Sequence, residues 1–502
     1  MNRKFIVFAI LLIIYILALN YLNIIFIAGD DGYMMRIANG SFFGTKDYHL
    51  VFINSILGYF FVFLYTNWPT YEWYFIIFIL SQFLSSFIII IKLQEKTGSL
   101  KSLIFLLPLF YYLCYLNFTT LSFLLSFASF LLLESYLKDK KIISIITSLI
   151  LLLIGMLYRF DMVILCFGIL ALYLILKNYR KKLKILIIYL SIACINALII
   201  NTINNKTYKE NQDWIFYSEY NKERGTINDN FGIGYLLAEY EQKKNPAKND
   251  LELAARRFIF TDAMTLEALK GINNKLKTNH SIFIYNVLKN LRFTNFFYLL
   301  IFSIISILIC IINKKFQLIA VIGVLLLLMS YLMLTHTLKD RIILPMIFLS
   351  AYLVLENAKI NFSKENRIQS ILFIFLAAII IKIYIFYPES KKKFEHLNLP
   401  EDTIMLDGSN YFSQTTIQKI DEKSTVIPGG WLTNLPLLKQ KYKKHHPSIH
   451  LSLVDDKHFN DKHLYYIAEN NTQTMIEKHL KKNKRRLIKI KTNLFRISNQ
   501  LE

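Results

Sequence analysis

The chain has 502 residues, of which 54% are hydrophobic and 15% aromatic, and it carries 58 Lys and Arg against 35 Asp and Glu, a formal net charge of +23. The apolar residues stand in long runs, which excludes a large soluble core and reads as an all-α polytopic membrane protein. The excess of cations suits anionic headgroups and phosphate-bearing substrates better than nucleic acid, and no nucleic-acid partner is expected.

The first apolar run, 5–27, is long enough to cross a bilayer, since about 20 helical residues cover roughly 30 Å of hydrocarbon. It is too long for the apolar segment of a cleavable signal, and no small-residue cleavage site follows it. Arg3 and Lys4 precede it and are expected to hold the N-terminus in the cytoplasm. Asp30 and Asp31 come directly after it, in Ala28-Gly-Asp-Asp-Gly32, and fall at the outer boundary. Carboxylates at that depth are costly and mark chemistry or ion handling. The next apolar stretch, 51–65, is short and carries Asn54 and Gly58. It is expected to lie in the outer interface, flanked by Trp68 and Trp73 at headgroup level.

Further spans are expected at 72–91, 103–117, 120–137, 142–157, 162–176, 185–203, 295–312, 316–335, 342–356 and 369–387, about eleven in all with the first. The lysines support that order. Lys92, Lys96 and Lys101, then Lys138, Lys140 and Lys141, then Lys177, Lys181, Lys182 and Lys184 fall in alternate links, while the links between are poor in cations. An odd number of spans leaves the C-terminus outside the cytoplasmic membrane. The four cysteines all sit in apolar runs and read as small hydrophobes, without disulfide or metal spacing.

Two polar pieces remain. The loop 204–292 leans to helix, with Asn249-Asp250 leading into Leu251-Glu-Leu-Ala-Ala-Arg-Arg257. The tail alternates strand-like runs at 403–406, 464–468 and 487–491 with a helical stretch at 472–482, the pattern of a small α/β domain. The chain therefore divides into a transmembrane part, 1–387, with outer loops at 29–71 and 204–292, and an extracytoplasmic α/β part, 388–502.

This topology gathers ionisable residues on the outer face. Asp30 and Asp31 come from the first loop, with Arg36 behind them; Arg159 and Asp161 interrupt the turn Tyr158-Arg-Phe-Asp161; His336, Lys339 and Arg341 belong to the link Thr335-His-Thr-Leu-Lys-Asp-Arg341. An acid able to take a proton, facing cations able to hold a phosphate, suits transfer from a phospholipid-linked donor. Arginine fits because its planar fork pairs with two phosphate oxygens. Each group also has a plain structural reading: Asp31-Gly as a turn ending the first helix, Arg159 with Asp161 as an interfacial ion pair, Lys339 to Arg341 as a polar hairpin link, and His336 as a headgroup-level residue.

A first span ending in an acidic pair, an interfacial helix in the first outer loop, about eleven spans and an external C-terminal domain resemble the GT-C superfamily of membrane glycosyltransferases. The stretches Asp31-Gly-Tyr-Met-Met-Arg36, Tyr48-His-Leu-Val-Phe-Ile-Asn54, Trp68-Pro-Thr-Tyr-Glu-Trp73, Glu219-Tyr-Asn-Lys-Glu-Arg224 and Asn228-Asp229 are similar to a group of bacterial membrane proteins from cell-surface polysaccharide loci. The resemblance implies transfer of a sugar, with inversion, from a polyprenyl-phosphate carrier to a polysaccharide or teichoic-acid acceptor. It implies a base at Asp30 or Asp31 and phosphate-binding cations at Arg159 and Arg341. Superfamily members differ in their use of a divalent metal, and Asp30, Asp31 and His336 leave that open. The WWD-like motif of oligosaccharyl transferases is absent from the tail, which argues against protein N-glycosylation. Two other readings stand beside this one. One is a polysaccharide polymerase using Arg224, Arg256 and Arg257 of the large loop; the other is a lipid-linked glycan flippase or transporter, against which stand the lack of central acids and of repeats.

Overall fold

The computed structural model describes residues 3–357, apart from short breaks of which 256–264 is the longest, and beyond them 404–407, 425–438 without 429 and 433, 440, 464–467 and most of 473–499. The first half runs α1 (Arg3–Tyr21), β1 (Ile25–Phe26), α2 (Gly29–Asn39), α3 (Ser55–Asn67), α4 (Trp73–Thr97), α5 (Leu106–Cys114), β2 (Tyr115–Leu116), α6 (Phe118–Asp139), α7 (Ile142–Leu176) and α8 (Leu183–Tyr208). Then follow α9 (Gln212–Asn228), α10 (Gly232–Gln242), α11 (Lys248–Ala255), α12 (Leu266–Thr278), α13 (His280–Leu291), α14 (Thr294–Ile312), α15 (Phe316–Thr335) and α16 (Asp340–Asn357). The tail contributes β3 (Ile404–Asp407), β4 (Thr425–Pro428), a 3₁₀ turn (Gly430–Leu432), β5 (Leu464–Ile467), β6 (Arg485–Lys491) and β7 (Leu494–Asn499).

Among the described residues five helices, α1, α4, α6, α7 and α8, are long and apolar enough to cross a membrane. The helices α14, α15 and α16 occupy the runs expected at 295–312, 316–335 and 342–356, while 369–387 lies outside the described residues. Two expectations are corrected. The first helix stops at Tyr21, short of Ile27, and β1 pairs in parallel with β2. The run 103–117 is not one helix either, because α5 has nine residues and gives way to β2. Asn117 explains that change. Its side chain accepts from Thr119 N–H and caps α6, which holds its own backbone extended (φ −158°, ψ 133°), so α5 cannot run on into α6.

Helix α7 is bent back on itself. Arg159 has φ −160° and ψ 99°, extended values inside a helical stretch. A Cβ on Gly155 would meet Val163 Cγ2 at 3.4 Å, whereas eight residues of straight helix rise about 12 Å. The Ser122 hydroxyl bonds the carbonyls of both Gly155 and Arg159 at 2.9 Å, while Glu134, twelve residues along α6, meets Lys177. The two arms of α7 are therefore antiparallel and pack on α6, in keeping with the turn expected between 142–157 and 162–176. Ser129, Ser148 and Tyr189 share hydroxyl bonds where these helices approach closely.

Four helical segments connect the same two ends of the bundle. Tyr74 of α4, Phe118 of α6, Arg159 of α7 and Arg341 of α16 gather at one end. Lys96 of α4, Glu134 of α6, Lys177 beyond α7 and Glu356 of α16 gather at the other, where each acid pairs with both lysines. All four segments thus run in the same direction, as the alternation of lysine-rich links requires.

The helix α3, at 13 residues about 20 Å long, is shorter than the hydrocarbon layer is thick. Its N-cap Asn54 donates its N–H to Leu157 at the bend of α7, and Ser55 N–H reaches Asn204 on α8. Leu57, Phe61, Leu64 and Tyr65 are buried while Tyr59, Phe60 and Phe63 are exposed, so the helix lies half-sunk against the bundle. Gly58 rests on the carbonyl of Tyr48, where a Cβ would collide with the oxygen. Gly58→Ala is expected to cost about 1–3 kcal/mol, read as a lower melting temperature in detergent. Gly168→Ala, at a site with open space, is expected to cause no loss.

The described residues of the loop 204–292 include the five helices α9 to α13, around Tyr220, Ile227, Leu236, Leu269 and Ile282. The tail strands form one sheet in the order β4-β3-β5-β7-β6. The strands expected at 403–406 and 464–468 are present as β3 and β5. The expected closing strand 487–491 is instead the edge strand β6, because β7 inserts between it and β5; β4 was not expected. Trp431, Leu432, Leu435 and Leu438 are buried in the same core as the bundle.

Candidate functional site

Asp30 and Asp31 occupy the first turn of α2, so they start a helix and do not form the turn that ends α1. Carboxylates there are favoured by the helix dipole. Neighbours on a helix point about 100° apart, and the two acids face different surroundings.

Asp31 is completely buried. Its Oδ1 accepts from the Tyr74 hydroxyl at 2.8 Å, and its Oδ2 accepts from Asn117 Nδ2 at 3.3 Å and from Phe118 N–H at 3.4 Å. Burial pushes its carboxyl up to about 8, against the pull of the Tyr74 and Phe118 hydrogen bonds. Such an acid is protonated in the folded protein but ionised in the unfolded chain between about pH 4 and its folded value, so stability falls as pH rises through that window. Asp31→Asn is expected to remove this part of the decline. Melting curves of both proteins between pH 5 and 8 should diverge most at the alkaline end, where the variant is relatively more stable.

Asp30 opens outward, 23% exposed, with Arg341 Nη1 at 3.2 Å from its Oδ2. Arg341 stands in the first turn of α16, and Arg159 stands at the bend of α7. Both guanidinium carbons lie over one ring, that of Phe118, at 5.9 and 5.6 Å. Two like charges around one aromatic ring repel each other, and a bound anion relieves that repulsion. Beside them Lys339 pairs with Asp229 at 2.5 Å. Burial acts the other way, but Lys339, Arg341 and Arg224 hold the Asp229 carboxyl below its ordinary range. Arg224, buried on α9, is steadied by Asn221 and Asn228. The layer is closed by the tail. Tyr217 donates to the carbonyl of Trp431 at 2.8 Å, and the Trp431 ring lies 5.0 Å from Phe52, which stacks on Phe118.

Of the residues singled out from the sequence, Asp30, Arg159, Lys339 and Arg341 come together. Asp161 is 81% exposed and meets Arg159 Nε at 3.4 Å on the outside. Arg36 is buried a turn and a half along α2, and Asp31 is sealed away from solvent with its hydrogen bonds going to Tyr74, Asn117 and Phe118. His336 lies outside the described residues. Sequence reasoning missed Tyr74, Asn117, Phe118 and Trp431. Only Asn117 left a local signal, as an amide side chain directly before the Phe118-Thr119-Thr120 start of α6.

Among the described residues no three His, Cys, Asp or Glu side chains gather as metal ligands, and the two acids of the first turn point to different partners. Among the described residues the site thus holds one outward acid beside two arginines, and His336, the remaining candidate ligand, lies outside them. What the site offers is a fixed pair of guanidinium groups for an anion and one outward carboxylate able to take a proton. No family model matches the chain, and no curated protein or solved structure was found to be similar to it.

Proposed function

We propose that the chain is a membrane glycosyltransferase that moves a sugar from a polyprenyl-phosphate carrier to a cell-envelope polysaccharide or teichoic-acid-type acceptor outside the cytoplasmic membrane. The observation that carries this reading is the Asp30–Arg341 pair at the Phe118 ring, with Arg159 against the same ring. A donor phosphate takes the two guanidinium groups and displaces the Asp30 carboxylate from Arg341. The freed carboxylate accepts the proton of an acceptor hydroxyl. The acceptor oxygen bonds to the anomeric carbon, the bond from that carbon to the phosphate oxygen breaks, and the departing phosphate keeps the electron pair beside Arg159 and Arg341. Attack from the face opposite the leaving group inverts the anomeric centre. Trp431 of the tail and the end of α9, with Arg224 and Asp229, border the site and serve the acceptor.

The same chemistry supports a polymerase of lipid-linked repeats as second reading, since Arg224 of the large loop lies beside Asp229. Purified protein in detergent micelles, given a polyprenyl-phosphate sugar with a radiolabelled glycosyl group and cell-wall polymer, is expected to transfer the label. A flippase shows no activity without a closed compartment. Absence of transfer with every polyprenyl-linked donor tried sinks the proposal, and Arg341→Ala is expected to raise the donor KM more than the acceptor KM.

A further inference from the structure

One of the two acids has no chemical task in that scheme. Asp31 is buried beside Asp30, and both its oxygens are committed to other helices: one to Tyr74 at the start of α4, the other to Asn117 and the Phe118 amide at the start of α6. Asn117 in turn caps α6 through Thr119 N–H at 2.9 Å. A single carboxyl therefore ties α2, α4 and α6 together at one point. Burying such a group costs more than filling the space with hydrocarbon, so its retention calls for a use. The amide that it holds belongs to the residue whose ring carries both arginines, 5.6 and 5.9 Å from their guanidinium carbons.

We infer that Asp31 is a positioning residue: it fixes the backbone of Phe118, and through that ring the two guanidinium groups that receive a phosphate. The inference rests on the reading above for the identity of the donor, and on the geometry alone for the coupling between Asp31 and Phe118. The second acid of the pair thereby acts on anion binding through an aromatic floor, and the first acts on the proton.

The test uses the full chain in detergent micelles with decyl phosphate as probe and its Kd measured by calorimetry. Phe118→Leu is expected to weaken binding about 10-fold, the loss of cation–π support for two arginines. Asp31→Ala is expected to give a similar loss, and Asp31→Asn, which keeps size and folding but breaks one tie, a loss of about 3-fold. In the Phe118→Leu background neither change at Asp31 is expected to weaken binding further, because the contact through which it acts is already gone. Asp30→Asn is expected to tighten binding, since it removes a carboxylate that competes for Arg341.

Losses at Asp31 and Phe118 that multiply, or full affinity in Asp31→Ala, overturn the inference. So does a wild-type protein that ignores decyl phosphate, which also removes the phosphate cradle. Coupled losses without any sugar transfer leave the inference standing and defeat the glycosyltransferase reading; transfer with multiplying losses does the reverse.

Discussion

Asp30→Asn is expected to slow sugar transfer by about 10²–10⁴-fold, the usual contribution of a positioned general base, while the protein folds and melts as the wild type does. The two halves of that expectation have separate causes. Asparagine keeps the shape of the side chain but takes no proton at neutral pH, so the acceptor hydroxyl attacks undeprotonated. The stability term is small because Asp30 opens to solvent and its pair with Arg341 is partly exposed, a setting in which ion pairs contribute about 0–1 kcal/mol. The neighbouring substitution behaves in the opposite way. Asp31→Asn alters the pH dependence of stability and binding of the phosphate, and changes the chemical step little. Initial rates with labelled donor in micelles, together with melting curves, distinguish the two. An Asp30→Asn protein that retains a third of the wild-type rate excludes Asp30 as the base.

That division of labour was illegible in the sequence, since two identical adjacent residues carry no mark of which is buried. Helix geometry decides it, by turning one side chain toward Tyr74 and the other toward Arg341. The long helices were legible because uninterrupted apolar runs of span length have few alternatives. The bend at Arg159 was legible as well, for charged residues interrupt such a run only where the chain meets water or a partner. The end of α1 was not, because Ile24, Ile25 and Phe26 continue the apolar run and periodicity alone does not separate a short buried strand from more helix. Phe118 and Trp431 were missed for a different reason. Aromatic residues abound in this chain, and only the tertiary fold brings a tail tryptophan to Phe52 and sets a single ring under two arginines. The lysines at the far end were visible as markers of topology. The acids that meet them there, Glu134 and Glu356, stand far apart in the chain and announced nothing.

Those far-end acids carry the largest expected effect on stability. Glu134→Leu is expected to destabilise the protein by about 3–5 kcal/mol, as removal of one member of a buried charge cluster does. Glu134 and Glu356 are almost fully buried, and each is bridged by Lys96 and Lys177, with Tyr352 donating to Glu134. Without Glu134 two lysines share one acid, and an uncompensated positive charge stays in a poorly solvated setting. Pairing the change with Lys96→Met restores neutrality, leaving Lys177 with Glu356, and is expected to recover most of the loss; melting temperatures of the single and double variants decide this. A double variant no more stable than Glu134→Leu shows that shape, and not charge balance, is what matters there. Catalysis is expected to suffer less than stability. Arg341 sits on the same helix as Glu356, about 22 Å away, but Pro345 lacks the N–H that would bond the Arg341 carbonyl. The turn that carries Arg341 is thereby only loosely geared to the far end, and the Phe118 ring and Asp30 hold it in place. Transfer per folded molecule in Glu134→Leu is accordingly expected to fall far less than in Asp30→Asn.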